Sequence, residues 1–524
     1  MEHLSVLLFI PIIAAVAISF WTNKILIGLG VGISSTLLLA FFFPELIANT
    51  TPVMDMIRQV FEATFFDFDH FAILIFTLAL AATIGILNDS GALSALLRPL
   101  LKAAKSKRQT KLTAFFLGLL IFFDDYTNSL LIGNLMKKPF KKAGISAAKL
   151  AYIIDSTAAP VASLAIMSTW IGFEVNEIEQ SLIASPLGGN ITIGAYGVFL
   201  RSIPYSFYPI LTLGAVFWVL HRNINIGPMK EAEELAASEP TEEGVLARKE
   251  EDRDTSSSKT AWTALLFLIL STTFFIIYTG FNNSEDPSFL WSHCLSYIGA
   301  SSTVLSLLIS TLSTLLLTLA IAAPGIGLSA QVESIKNTCK KVLAPLSVLY
   351  LAWLFAGLLK STQLADYIIQ IIQTTELDPR FFPAFIFIGA AIISFATGSS
   401  WGTMSILFPI CIPALLTFSI SENGLNEVLF FSGIASILGG AVWGDHCSPL
   451  SDTTIISSIA SDCPHVIHVK TQLPYAIITG ASVVLGALIP VNFGLPFWAG
   501  IILSAFFTLL IFNILNRSTS LIRR

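Results

Sequence analysis

Several carboxylates of this 524-residue chain stand in apolar surroundings. The stretch IFFDDYTNSL (121–130) places Asp124 and Asp125 side by side in a run of Phe, Ile and Leu. Three further polar breaks interrupt apolar sequence, and they read IDSTAAPVAS (154–163), ATGSSWGT (396–403) and GDHCSPLSDTT (444–454). All four breaks concentrate side-chain oxygens, and the last three add a Gly or Pro that frees backbone carbonyls. Clustered oxygen ligands favour small hard cations.

The cost of placing these charges in a membrane indicates what must neutralise them. A carboxylate near the bilayer centre costs roughly 2.5 to 3.5 kcal/mol on insertion scales. The breaks carry five, namely Asp124, Asp125, Asp155, Asp445 and Asp452. Their summed cost would approach the stability of a whole domain, so protons, cations or basic partners must compensate. The breaks contain no Lys or Arg, and one His, which leaves cations and protons.

A carboxylate that holds either Na⁺ or H⁺, but never both, exchanges one for the other without further machinery. The predicted ion or substrate site comprises Asp124, Asp125, Thr127, Asn128, Asp155, Ser156, Thr157, Thr397, Gly398, Ser399, Ser400, Asp445, His446, Ser448 and Asp452. The candidate Na⁺ ligands among them are Asp124, Asn128, Asp155, Ser399 and Asp445.

Structural roles compete with binding at each position. Asp124 or Asp125 can cap the helix that follows by accepting its free N–H groups. Asp155 can fasten two helices by a hydrogen bond. Ser163 and Thr169 are predicted to bond back to their own helix.

The third break and His446 have structural interpretations of the same kind. ATGSSWGT can form a satisfied turn without a ligand. His446 has a side chain that titrates near neutral pH, but a His beside an Asp more often serves as its structural partner.

Long apolar segments must position these breaks. Hydrophobic residues make up 54% of the chain and charged residues 12%, and the mean hydropathy is +0.77. Segments such as LSVLLFIPIIAAVAISF approach the ~20 residues that span a bilayer as a helix. We therefore predict an all-α polytopic membrane protein with about 11 membrane-crossing helices, whose partner is the lipid bilayer.

Charge and cysteine content exclude several classes of function. The net charge of −5 is accounted for by Lys230–Lys259, which holds ten Asp or Glu against five Lys or Arg. This segment has the composition of a solvated linker, and the rest is near neutral, so no nucleic-acid partner is expected. The five cysteines form no CxxC pair and are expected to be free thiols. No cofactor is expected beyond transported Na⁺ and H⁺.

Basic loops predict the orientation of the first break, because Lys and Arg are retained on the cytoplasmic side. Residues 101–111 and 137–149 each hold five basic residues and no acid. The segment between them therefore begins and ends in the cytoplasm, and each arm has too few residues to cross about 30 Å. We predict a re-entrant hairpin with Asp124 and Asp125 at its tip. Residues 173–190 hold three Glu and no base, which places them outside, with Glu174 near a membrane edge.

The second half of the chain repeats this plan. ATIGILNDSGALSALLRPL (from Ala82) is similar to LFAGLLKSTQLADYIIQII (from Leu354), and aligning Gly85 with Gly357 gives a shift of 357 − 85 = 272. The charge pattern of the flanking loops reverses, so the repeats are predicted to be inverted. Inverted repeats with interrupted helices are typical of secondary transporters, although a duplicated scaffold without a transport role would also repeat.

An enzyme is disfavoured. Asp124 and Asp155 could form the pair of an intramembrane aspartyl protease, but nothing favours that pairing. A Ser-His-Asp triad drawn from GDHCSPLSD would come from one local run, whose side chains cannot easily converge.

The four breaks closely resemble motifs of the NhaC-type Na⁺/H⁺ antiporters of the ion-transporter superfamily. The matching stretches are FFDDYTNSLLIGNLMKKP, DSTAAPVASLAIMSTWIGFE, TGSSWGTMSILFP and WGDHCSPLSDTTIISS, and the resemblance runs from about residue 70 to 490 outside the acidic linker. It implies two inverted repeats, each with a re-entrant hairpin and a discontinuous helix. It further implies a transport domain that moves like an elevator against a scaffold in a homodimer.

The resulting assignment is a transporter of the bacterial cytoplasmic (inner) membrane that exchanges Na⁺ or Li⁺ for H⁺. A sodium-coupled carrier of an amino acid or carboxylate is the alternative, because relatives on this fold carry such solutes. The linker and the C-terminus are expected in the cytoplasm. The predicted parts are an N-terminal scaffold segment (1–69), a first repeat (70–220), the linker (221–260), scaffold helices (261–340), a second repeat (341–492) and a C-terminal helix with a basic tail (493–524).

Overall fold

Helices make up nearly all of the described chain. The structure is a computed structural model, and it describes residues 6–521 except 23, 47–51, 94, 97–105, 192, 239–257, 284–300, 323, 325, 363, 365–366, 368–377 and 422–423. Much of the predicted linker therefore lies outside the described residues.

The first half of the chain forms eleven of the described helices, and the last of them lies inside the predicted linker (221–260). They are α1 (Ile10–Thr22), α2 (Ile25–Phe42), α3 (Val53–Phe65), α4 (Phe68–Asp89), α5 (Lys107–Leu120), α6 (Asp125–Lys142), α7 (Ala147–Ala162), α8 (Ile171–Ala184), α9 (Ala195–Ser202), α10 (Phe207–Arg222) and α11 (Pro228–Ser238).

The second half adds ten helices and one short antiparallel ladder to the described part. The helices are α12 (Ser258–Asn283), α13 (Thr303–Ala322), α14 (Leu328–Lys360), α15 (Phe382–Thr397), α16 (Ser400–Ser419), α17 (Glu427–Cys447), α18 (Asp452–Ala460), α19 (His465–Val483), α20 (Ile489–Asn492) and α21 (Phe497–Leu521). The ladder pairs β1 (Ile420–Ser421) with β2 (Gly424–Leu425).

Eight helical stretches of the described residues are long and apolar enough to cross a membrane, or nine if the bent pair α9 and α10 forms one span. The protein is thus an all-α polytopic membrane protein. The expected number of about 11 crossing helices stays a prediction, because several helices around the polar breaks are short. For example, α5 and α8 have 14 residues each.

Two helical hairpins form at polar breaks that the sequence analysis singled out. In the first hairpin, α5 ends at Leu120 and α6 follows the cap residue Asp124; in the second, α15 ends at Thr397 and α16 follows the cap residue Ser399. The two caps are 399 − 124 = 275 positions apart, close to the shift of 272 between the repeats. The re-entrant path of each hairpin stays a prediction.

Two broken helices follow the hairpins. The first consists of α7 and α8, which are separated by residues 163–170, and the second of α17 and α18, which are separated by residues 448–451. Ser146 caps α7 by accepting from the Lys149 N–H at 3.1 Å, and Ser451 caps α18 by accepting from the Thr454 N–H at 3.4 Å. Side-chain caps therefore define where these helices begin.

The two repeats pack reciprocally. Helix α6 of the first hairpin lies against α18 of the second broken helix, and α16 of the second hairpin lies against α8 of the first. Glycine permits this close approach between the repeats, since a Cβ added at Gly133 of α6 would lie 2.4 Å from the Cβ of Ala460 of α18. Within the second repeat, a Cβ at Gly444 would lie 2.5 Å from the Ala391 carbonyl oxygen. The four polar breaks are thereby brought to the junction of the repeats.

The acidic residues of α8 correct one sequence expectation. Glu174, predicted near a membrane edge, is fully buried, and so is Glu177. Counting Glu174 and Glu177 as charges of an outer loop was wrong, because helix α8 directs both side chains toward the protein interior. The external placement of residues 173–190 consequently loses the basis on which it was predicted.

Candidate functional site

A cavity of about 460 Å³ lies between the tips of the two hairpins. Its polar lining comes from the two hairpin tips, the end of α17, the first broken-helix break and the helices α4 and α18. Besides Lys24, the polar residues at its wall are Thr77, Asp124, Asp125, Tyr126, Thr169, Thr397, Ser399, Ser400, Asp445 and Thr453. Lys24, Trp170, Gly398, Trp401 and apolar side chains from α2 and α14 complete the wall.

Asp124 is the N-cap of α6. Its Oδ1 accepts from the Thr127 N–H at 2.7 Å, and its Oδ2 accepts from the Thr169 hydroxyl at 3.3 Å. The capping role that the sequence left open for one aspartate therefore falls to Asp124. Thr169, expected to bond to its own helix, instead bonds to the first hairpin, whereas Ser163 does bond back, to the Pro160 carbonyl at 3.2 Å.

Asp125 occupies the first turn of α6 and is almost fully buried. Its Oδ1 accepts from the neighbouring Tyr126 N–H at 3.0 Å, a local contact that leaves the carboxylate at the cavity wall. Asp445 lies near enough to Asp125 on one side and to Asp155 on the other for their negative charges to repel one another. Asp124, the neighbour of Asp125, repels it as well, so these four carboxylates form one electrostatic group.

The second tip is a tight turn with mostly satisfied hydroxyls. Gly398 has a φ of +66°, and a Cβ there would lie 2.6 Å from the Leu450 carbonyl carbon. Ser399 caps α16 by accepting from the Gly402 N–H at 3.1 Å. Thr397 donates to Ile393 within its helix, and Ser400 donates to the Ala441 carbonyl. The three hydroxyl groups of this turn thus have hydrogen-bond partners within the protein, and the turn still borders the cavity.

Asp155 is completely buried on α7 and does not line the cavity. Its Oδ2 accepts from the Gln472 amide at 2.7 Å and from the Thr454 hydroxyl at 3.1 Å, while the His468 Nε2 lies 3.6 Å away. Its Oδ1 has no hydrogen-bond partner among the described residues. Thr453, the neighbour of Thr454, lines the cavity, so the start of α18 contributes both to the cavity wall and to the contacts of Asp155.

His446 forms a hydrogen-bonded link between helices. One ring nitrogen contacts the Ser156 hydroxyl at 2.9 Å, and the other contacts the Tyr208 hydroxyl at 2.8 Å. The Gln472 amide also donates to the His446 carbonyl. These contacts join α17 to α7, α10 and α19 beside Asp155.

The other predicted residues have local roles. The buried Asn128 amide donates to the Gly118 carbonyl at 2.8 Å and the Ile121 carbonyl at 3.0 Å, which ties the two arms of the first hairpin together. Thr157 bonds back to Ile153, and Ser448 donates to the Phe395 carbonyl at 2.7 Å. Thr127 is half-buried outside the main cavity. The side chain of Asp452 lies outside the described part of the structure.

The candidate Na⁺ ligands fall into adjoining groups rather than one shell. Asp124, Ser399 and Asp445 border the cavity, whereas Asn128 and Asp155 lie behind it. Within the described chain, no group of three or more His, Cys, Asp or Glu could hold a metal ion. A Na⁺ site here would consequently need hydroxyl and backbone oxygens as well as carboxylates.

Fixed cations are sparse around these acids. In the part of the chain that the structure describes, no Lys or Arg forms an ion pair with Asp124, Asp125 or Asp155, and Lys24 is the one Lys or Arg at the cavity wall. A mobile cation or a proton can therefore compensate the buried charge.

The sequence analysis missed several neutral partners of the site: Thr169, Tyr208, Thr453, Thr454, His468 and Gln472. His468 and Gln472 carried a detectable signal, since they are four residues apart in a helical, largely apolar segment and so share one face. Their ring nitrogen and amide oxygen lie 2.8 Å apart.

Glu174 has an unusual environment for a carboxyl group. Both of its oxygens are buried, and neither has a hydrogen-bond partner in the described structure. We expect Glu174→Leu to raise the free energy of unfolding by about 1–3 kcal/mol, because it removes unsatisfied buried polar atoms at similar volume. Thermal unfolding in detergent, followed by Trp fluorescence, measures the change.

The control for this prediction is Glu427→Gln, which breaks the exposed ion pair with Arg201. It should alter stability by no more than about 1 kcal/mol. A clear loss of stability in Glu174→Leu would mean that the carboxyl group makes an interaction of its own.

Known proteins resemble the chain at three levels. The model of the Na⁺/H⁺ antiporter family matches residues 162–489. An uncharacterized protein of Haemophilus influenzae is 29% identical over 493 residues, which cover 92% of this chain and 90% of that protein. The malate-2H⁺/Na⁺-lactate antiporter of Bacillus subtilis is 31% identical over 147 residues, 28% of each chain.

The fold has a solved counterpart. The YdaH transporter of Alcanivorax borkumensis superposes with a TM-score of 0.60 at 16% identity, covering 91% of this chain and 99% of that one. At that identity the likeness shows a shared fold. The family match covers more than half of the chain, so this membrane transporter belongs to the Na⁺/H⁺ antiporter family.

Proposed function

We propose that the protein exchanges Na⁺ or Li⁺ for H⁺ across the bacterial cytoplasmic membrane. The observation that carries this proposal is Asp155, which is fully buried and, among the described residues, accepts from two neutral donors near a His and has one oxygen without a partner. Membership in the Na⁺/H⁺ antiporter family supports the same assignment.

The carboxylates supply the coupling. When Asp155, Asp125 or Asp445 binds Na⁺, its negative charge is compensated by the metal; when Na⁺ leaves, a proton must replace it, because an isolated buried carboxylate is costly. Repulsion within this group favours keeping at least one positive charge bound at all times. Either ion, Na⁺ or H⁺, therefore neutralises a carboxylate while the site moves from one side of the membrane to the other.

The interleaved repeats support a movement that exposes the site to one side of the membrane at a time. We propose that the hairpins and broken helices move together as an elevator against a scaffold that includes α12, α13 and α21. Large parts of the surfaces of these three helices are uncovered, consistent with contact to lipid or to a second copy in a homodimer. The linker and the C-terminus lie in the cytoplasm in this arrangement.

Purified protein in sealed vesicles with an internal pH-sensitive dye tests the proposal. Adding NaCl or LiCl to vesicles that hold a proton gradient, acid inside, should collapse the gradient, whereas choline chloride should not. No organic solute is needed for this response. A gradient that stays intact until an amino acid or carboxylate is added would contradict Na⁺/H⁺ exchange.

One observation favours a second candidate, the transport of a small organic anion coupled to Na⁺. The cavity of about 460 Å³ far exceeds the space of a dehydrated Na⁺, and Lys24 and the N-terminus of α16 border it. Both features attract carboxylates. The related Bacillus antiporter named above exchanges malate and lactate. Malate and lactate should therefore be the first solutes added if NaCl alone has no effect.

A further inference from the structure

A second and larger cleft, of about 870 Å³, lies away from the central cavity. Four elements enclose it: the end of α6, the start of α7, the helix α11 and the turn between α18 and α19. It therefore touches a hairpin or broken helix of each repeat. None of the residues assigned to ion exchange lines it.

Lysines dominate the charge of this cleft. Its wall carries Lys137, Lys138, Lys141, Lys142 and Lys470 against Glu231 and Asp462, a balance of 5 − 2 = +3. An ion pair from Lys137 to Asp462 at 3.2 Å removes one charge of each sign. The positive charge that Lys141, Lys142 and Lys470 add to the cleft wall favours an anion.

The other face of the cleft is apolar. It is formed by Phe140, Ile145, Leu150, Leu235 and Ile467. A free inorganic anion would bury none of this apolar surface, whereas the glycerol backbone and first methylenes of a phospholipid would cover it. The adjacent basic loop is the one that charge distribution places in the cytoplasm, where anionic headgroups collect.

Hydrogen bonds hold the cleft open as a built feature. The Glu233 carboxylate of α11 accepts from the Ser146 N–H at 2.8 Å and from its hydroxyl at 2.6 Å. The Lys107 ammonium donates to the Gly144 carbonyl at 3.3 Å, and Gly144 turns the chain with a φ of +58°. Helix α11 is thereby fixed to the start of α7 and forms a side wall.

We propose that this cleft binds the phosphate headgroup of an anionic phospholipid from the cytoplasmic leaflet. The inference rests on the proposed orientation but not on the identity of the transported ion. A lipid seated here bridges α6 and α7 of the first repeat to α18 and α19 of the second. It would therefore stabilise one arrangement of the repeats and change the rate of transport.

The test measures lipid binding to the full-length protein in detergent by native mass spectrometry and by thermal unfolding. Phosphatidylglycerol should remain bound and raise the unfolding temperature, and phosphatidylcholine should not. The variant Lys141→Gln/Lys142→Gln/Lys470→Gln should bind phosphatidylglycerol roughly a hundredfold more weakly. Arginine at the same three positions should keep the binding, because charge is conserved.

The matched control removes three lysines elsewhere, as Lys259→Gln/Lys336→Gln/Lys340→Gln, and should bind normally. Equal losses in both triple variants, or equal binding of phosphatidylcholine, would overturn the proposal. Displacement of the lipid by millimolar inorganic phosphate would also overturn it, since the cleft would then be a site for soluble anions. Because no transport is measured, these outcomes are independent of Na⁺/H⁺ exchange.

Discussion

Asp155→Asn is expected to abolish the proton movement that NaCl drives in vesicles, with at least a hundredfold loss of rate. The asparagine has the shape of the aspartate, and its oxygen can still accept from Gln472 and Thr454, which now bond Oδ2 at 2.7 and 3.1 Å. It has no charge to exchange between Na⁺ and H⁺. The dye assay on reconstituted vesicles gives the rate, and thermal unfolding establishes that the variant is folded.

Asp89→Asn is the matched control for this prediction. It makes the same chemical change on an exposed side chain at the end of α4, away from the cavity. Its exchange rate should equal that of the unaltered protein. Near-normal exchange by folded Asp155→Asn would show that this carboxylate only fastens helices.

Gly398→Ala is expected to disrupt the second hairpin tip and to remove transport through misassembly. Alanine at a φ of +66° costs roughly 1–2 kcal/mol. Its Cβ would also lie 2.6 Å from the Leu450 carbonyl carbon, so the backbone of the second broken helix would have to shift. The measurements are the unfolding temperature in detergent and the exchange rate in vesicles, both of which should fall.

Gly389→Ala provides the control on the same hairpin arm. A Cβ at Gly389 meets nothing within 4 Å, and the residue lies inside α15. A glycine-to-alanine change in a helix should leave stability equal or raise it by about 0.5–1 kcal/mol. If Gly398→Ala behaved like Gly389→Ala, the close contact between the two breaks would have no structural importance.

The sequence was sufficient to predict where the breaks lie. Aspartates within apolar runs are rare because their cost is high, so Asp124, Asp125 and Asp155 stood out without any alignment. The basic loops on both sides of the first break also indicated a hairpin. The sequence did not reveal which of the two adjacent aspartates caps α6, because the cap depends on the backbone geometry at that position.

Partners from distant parts of the chain were harder to predict. Gln472 and Thr454 reach Asp155 across some 300 positions of sequence, and nothing in their immediate neighbours specifies that contact. His446 was expected beside an aspartate, but the bonds of its ring go to Ser156 and Tyr208 on two other helices. Such contacts follow from how helices pack, which composition and spacing describe only in outline.

Glu174 illustrates a different failure. Charge counting assumes that an acid near a predicted helix end is in water, and a buried glutamate has the same sequence signature. The tertiary contacts of α8, which lies against α4 and α16, decide its burial. Local sequence therefore gives the type of residue but not the side of the helix that the protein covers.

Proton release on Na⁺ binding tests the central claim most directly. Isothermal titration of NaCl into purified protein, repeated in buffers of different ionisation enthalpy, counts the protons released per Na⁺ bound. We predict about one proton per Na⁺, and Na⁺ affinity that falls as the pH is lowered, because H⁺ and Na⁺ compete for the same carboxylates. Saturable Na⁺ binding without proton release and without pH dependence would contradict the account.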